Sequence, residues 1–110
     1  MPQKPTQKLS SAEKKDFRAI GHHLDPVVQI SENGISEGAL AEIERALNDH
    51  ELIKIKLMSP ERDERADQLD AICTQSRAEL VQKIGKMALL YRHNPNARER
   101  LSNVRRFTGN

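Results

Sequence analysis

Residues 52–58 read LIKIKLM, an alternation that suits a β-strand. Successive side chains on a strand point to opposite faces, so Ile53, Ile55 and Leu57 share one face and Lys54 and Lys56 the other. A strand with one apolar face needs neighbouring strands and a covering layer. The rest of the chain must supply both.

It supplies them in alternation. Ser10 followed by Glu13 makes a capping box, and the helix it opens carries Phe17, Ile20 and Leu24 on one face. Lys14, Arg18 and His22, four apart, form a basic stripe beside that face. Asp25-Pro26 ends the helix, because a residue before proline avoids the helical region. A short strand at 27–30 leads through Ser31-Glu32-Asn33-Gly34 into a second helix capped by Ser36. Its buried stripe is Leu40, Ile43 and Leu47, with Ile35 stapled to Leu40. Ser59-Pro60 opens a third helix with proline at the first position, and Ala66, Leu69, Ile72 and Cys73 line its core side. Apolar runs at 80–84 and 87–92 flank Gly85-Lys86, which suits a two-residue hairpin with glycine first. The order α-β-α-β-α-β-β predicts an α/β fold, a small mixed sheet with three helices on one face. Lys54 and Lys56 then point outward on the open face. Residues 1–8, polar with two prolines, are expected to be disordered, and 9–94 to form the domain. Residues 95–110 read as a basic tail, with Leu101, Val104 and Phe107 on one helical face that a partner could order.

A chain of 110 residues suits one domain with one modest core. Its net charge of only +2 conceals an uneven distribution. Segment 32–51 holds six acids and one base, whereas 79–110 holds seven bases and two acids, which implies a molecule with one basic face. The only aromatic rings of the Phe, Tyr and Trp types are Phe17, Tyr91 and Phe107. A nucleic-acid binder so poor in stacking groups works through phosphate, sugar and shape. Tyr91 reads as a packing residue with its hydroxyl at the rim. The lone Cys73 excludes an internal disulfide, and no stretch approaches the roughly 20 apolar residues of a membrane span. The first residues lack the apolar centre of a signal peptide, so a cytoplasmic protein is expected. His22, His23, His50, His93 and Cys73 lie at no metal-binding spacing, and neither a nucleophile elbow nor a phosphate-binding lysine loop is present. No catalysis, metal or cofactor is expected.

The turn at 31–36 raises a sharper question. A loop entering a helix presents N–H groups at the positive end of the helix dipole, a natural seat for phosphate. Gly34 gives the backbone freedom, and Asn33 tolerates a left-handed conformation. Glu32 and Glu37 oppose an anion there, so the stretch by itself also fits a plain strand-to-helix turn.

Several ordered motifs add to this. Leu24-x-Pro26-Val27-Val28, Gly34-Ile35-Ser36-Glu37-Gly38, His50-Glu51-Leu52-Ile53-Lys54-x-Lys56, Ile84-Gly85-Lys86 and Leu90-Tyr91-Arg92 follow one another over residues 9–92. Together they resemble the YhbY family, the free-standing bacterial form of the CRM (chloroplast RNA splicing and ribosome maturation) domain. The resemblance implies a four-stranded mixed sheet covered on one side by helices, as in the C-terminal domain of a bacterial translation initiation factor. It also implies RNA binding, with rRNA of the precursor large ribosomal subunit as the target, and a part in ribosome assembly. The family's loop is Gly-x-x-Gly; here Ser31 replaces its first glycine and Glu32 follows.

The expected RNA contacts are therefore Ser31, Asn33 and Gly34 as donors to phosphate. Lys54 and Lys56 come from the strand, Lys83, Lys86 and Arg92 from the hairpin, and Lys14 and Arg18 from the first helix. A monomer is expected. The alternative is an assembly adaptor that meets basic ribosomal proteins through Glu37, Glu42, Glu44 and Asp49 of the second helix.

Overall fold

The computed structural model describes residues 9–108, with side chains as far as Arg105. The disorder expected at 1–8 lies outside the described residues, as does the side chain of Phe107. Eight elements follow in order: α1 (Ser11–Gly21), β1 (Pro26–Ile30), α2 (Glu37–His50), β2 (Leu52–Leu57), α3 (Arg62–Ser76), β3 (Glu79–Ile84), β4 (Met87–Tyr91) and α4 (Asn103–Thr108). The sheet order is β1-β2-β4-β3, with β1 parallel to β2 and the remaining pairs antiparallel. The expected mixed sheet and element order are both present.

Local signals act where the sequence placed them. The Ser10 hydroxyl accepts from the Glu13 N–H at 3.1 Å, and the Glu13 carboxylate accepts from the Ser10 N–H at 3.0 Å. Ser36 accepts from the Ala39 N–H at 3.0 Å. The third helix differs: it begins at Arg62, two residues after Pro60. The hydroxyl of buried Ser59 accepts from the Glu61 N–H at 3.2 Å, which holds a turn ahead of the helix.

One core lies between the sheet and helices α2 and α3. Ile53, Ile55 and Leu57 of β2 meet Ile43 and Leu47 of α2 and Leu69 and Ile72 of α3 there. Leu40, Ala66 and Cys73, expected in this core, are only half-buried. Their positions fall on the flanks of the two helices.

The helices do not all share one face. A second core on the opposite side joins Leu9, Phe17 and Ile20 to Leu52, Val81, Leu89 and Tyr91, so α1 covers that side. The cause is β4: Ala88 and Leu90 face the first core, while Leu89 and Tyr91 face the second. A strand apolar on both faces needs cover on both. Gly21 permits the close approach, since a Cβ there would lie 2.5 Å from a methyl group of Leu89. Phe17 and Tyr91 stack with ring centres 4.7 Å apart, which gives Tyr91 its packing role.

The segment after β4 is also part of the domain. The Asn103 side chain donates to the Leu52 carbonyl at 2.7 Å, and Val104 packs against the second core. Glu51 gathers this segment. Its carboxylate accepts from the Asn94 N–H at 2.7 Å, the Ser102 hydroxyl at 2.7 Å and the Arg105 guanidinium at 3.1 Å. The short helix expected on a partner thus forms on the chain's own sheet, because a buried carboxylate and a strand carbonyl bind it there.

Candidate nucleic-acid interface

β1 and β2 end together, and the antiparallel β3–β4 hairpin turns at that same end. The loop at 31–36, the end of β2 and the turn at Gly85-Lys86 therefore crowd one edge of the sheet. Strands are about 4.8 Å apart, so the loop lies only about 10 Å from the line of β4. Gly85 adopts the positive φ (+56°) that its turn position demands.

Lys54 and Lys56 project from β2 on the α1 side. α1 covers the β4–β3 half of that face and reaches Leu52 at the start of β2, while Val27 and Gln29 of β1 are exposed. α1 runs from the Glu79 end of the sheet toward the hairpin, as the Lys14–Glu79 ion pair at one end and the Gly21–Leu89 approach at the other require. Arg18 and His22 consequently border a cleft of about 290 Å³ together with Lys54. Arg18, His22, Lys54 and Lys56 form a basic band beside α1, with Lys86 in the turn at its end.

Three expected contacts are not brought into this band. Lys83 pairs across the hairpin with Ala88, and directly paired residues share a face, so Lys83 points to the α2–α3 side. Arg92 is committed inside the fold: its guanidinium donates to the Glu44 carboxylate (2.9 Å), the Ser76 carbonyl (2.7 Å) and the Asn48 side chain (2.8 Å). It ties the end of α3 to α2. Lys14 sits at the far end of α1, 3.8 Å from the Glu79 carboxylate.

The loop departs from a simple phosphate seat. The Gly34 N–H donates to the Ser31 carbonyl at 3.1 Å, and the Asn33 N–H donates to the Ser31 hydroxyl at 3.0 Å. The Ser31 hydroxyl, which the family's first glycine lacks, thus takes up the Asn33 amide, while the backbone carbonyl of the same residue takes up the Gly34 amide and closes the turn. The Ser31 O–H and the exposed Asn33 side chain remain to face a ligand. Gly34 has φ +126°, which no other residue type adopts readily. Buried Gln68 of α3 steadies the turn by donating to the Ser31 carbonyl at 3.4 Å. The roles of Gln68 and Glu51 are not legible in the sequence, for a lone polar residue in a helical or capping position carries no pattern.

The opposite side is richer in acids, although Arg45 and Arg62 are exposed on it too. Glu37, Glu42 and Asp49 of α2 and Asp63, Glu64, Asp67 and Asp70 of α3 are exposed there. Cys73 has its thiol pushed up to about 11, by burial first and then by Asp70, which leaves it a weak nucleophile. Among the described residues no group of three or more metal-ligating side chains assembles, and no helix is long and apolar enough to cross a membrane.

Comparison with known proteins gives the family and the fold. Residues 9–92 match the family described as CRS1 / YhbY (CRM) domain. The chain is 60% identical over 101 residues to a protein of Pseudomonas aeruginosa named a probable RNA-binding protein, covering 92% of this chain and 97% of that one. It is 43% identical over 93 residues to an RNA-binding protein of Haemophilus influenzae, covering 84% and 94% of the two chains. Among solved structures, the solution structure of a Staphylococcus aureus protein proposed to bind RNA superposes with a TM-score of 0.73 at 32% identity. That match covers 84% of this chain and 96% of the other.

Proposed function

Because this chain belongs to the CRS1 / YhbY (CRM) domain family, we propose that it binds RNA through the basic band beside α1. The observation that carries the reading is the gathering of Arg18, His22 and Lys54 around one cleft, with Lys56 beside them and the Ser31–Gly34 turn at the strand ends. The Arg18, Lys54 and Lys56 cations neutralise phosphates, while Ser31 and Asn33 offer short polar side chains to phosphate or 2′-hydroxyl groups. Lys83, Arg92 and Lys14 are left out of the contact. The target we propose is rRNA of the precursor large ribosomal subunit, bound in the cytoplasm by the monomer during ribosome assembly. The names of the relatives support the RNA; the finer target rests on the resemblance alone.

Charge reversal tests the surface. Lys54→Glu with Lys56→Glu should weaken binding to structured rRNA fragments by roughly tenfold or more, and the fold should be kept. Undiminished binding would move the site elsewhere. It would favour the second reading, an adaptor that meets basic ribosomal proteins through the exposed acids of α2, of which Glu44 is already held by Arg92. Crosslinking in cells followed by sequencing tests the target. Enrichment of precursor large-subunit rRNA is expected, and a broad messenger profile would refute it.

A further inference from the structure

The cleft beside α1 has a property that phosphate binding leaves unused. Its wall is apolar: Ile84 and Met87, paired across the hairpin, lie on the α1 side, and Ile84 is 63% exposed. Gln82, half-buried, faces the same way, because its partner Leu89 belongs to the α1-side core. Arg18, His22 and Lys54 complete the rim, and no carboxylate lines the space. At about 290 Å³ the cleft is near the lower bound of small-ligand sites, roughly 300 Å³.

We infer that the cleft receives one unpaired nucleotide of the bound RNA. Charge complementarity selects the occupant. Arg18 and Lys54 offer cations to the phosphates on either side of the nucleotide, and the apolar wall meets the face of the base. The Gln82 amide, with a donor and an acceptor in one plane, reads the polar edge of the base. A perfect duplex keeps its base faces stacked inside and has no use for an exposed isoleucine; a bulged nucleotide presents such a face. The site supplies local base recognition that Phe17 and Tyr91, both buried, do not offer. Ile84 and Gln82 are two apart on one strand, so strand periodicity placed them together, but only the packing of α1 turns that edge into a cleft.

This inference rests on the RNA-binding reading, and two hairpins of equal length separate their failures. One is fully paired, the other carries a single bulged nucleotide, and both are labelled for fluorescence anisotropy with the full chain. The wild type should bind the bulged hairpin about fivefold more tightly. Ile84→Ser should erase that preference while holding the paired hairpin within about twofold of wild type, with the fold checked by thermal melting. Gln82→Ala should flatten the ranking among the four bulged bases. Equal wild-type affinity for the two hairpins, or a preference that survives Ile84→Ser, overturns the nucleotide site and leaves RNA binding standing. In the first case the cleft would suit an apolar side chain of a protein partner. Binding to neither hairpin removes both readings.

Discussion

Glu51 occupies a backbone conformation that only an interacting side chain would justify. Its φ is +61°, unusual for a residue with a Cβ, and it is 2% exposed. The side chain spans between Asn94, Ser102 and Arg105, with His93 Nδ1 3.3 Å away, so the local strain is offset by the docking of a whole segment. Burial pushes the carboxyl pKa up, but the Asn94 N–H, the Ser102 hydroxyl and the Arg105 charge together outweigh it and hold the group below its ordinary 4.5. A depressed pKa contributes stability above the unfolded value that is lost as the pH falls through the folded one. Glu51→Gln should therefore cost about 2 kcal/mol at pH 7, the scale of hydrogen bonds to a charged group. In urea unfolding that gap should shrink as the pH is lowered below 4.5 toward 3. A gap of the same size at both ends would mean the charge contributes nothing.

At the scale of elements, two residues decide how helices seat on the sheet. Arg92 fastens α2 to α3 through three short hydrogen bonds, so Arg92→Ala should cost about 2 kcal/mol in denaturant unfolding. The folded variant should keep its RNA affinity within about twofold, and a larger loss would return Arg92 to the interface. Gly21 closes α1 against Leu89. Alanine would normally strengthen a helix, yet here overpacking of about 1–3 kcal/mol outweighs that gain, so Gly21→Ala should lower the melting temperature. The elements themselves were readable: capping at Ser10 and Ser36, alternation in 52–58 and the Gly85 turn each have local causes. The side of the sheet taken by α1 was readable only in part. The run Ala88-Leu89-Leu90-Tyr91 is apolar on both faces, which calls for two covering layers, but it does not say which helix goes where. The docking of α4 was not readable, since it depends on a buried carboxylate 51 residues distant from Ser102.

At the scale of the whole molecule, the sheet separates charge: a basic band lies beside α1, and an acid-rich surface covers α2 and α3. The face on which Lys54, Lys56 and Arg18 lie was legible because strand and helix periodicities fix it. The face of Lys83 was not legible, because hairpin register, shifted by an irregularity between Leu80 and Gln82, sets it. The internal partners of Arg92 were not legible either, because no local pattern reveals that a cation is taken up by two helices. Under the proposed function the band offers Arg18, Lys54, Lys56 and Lys86 to phosphates. Neutralising about four charges on a duplex gives a log–log salt slope of about −3.5. Lys56→Ala should reduce its magnitude by about one, the mark of a single lost phosphate contact. Lys83→Ala should leave the slope unchanged, although both lysines carry the same charge and lie in strands of the same sheet. Affinities measured over a series of KCl concentrations separate the two cases. Equal effects would mean that only net charge matters and that the face on which a cation lies is irrelevant.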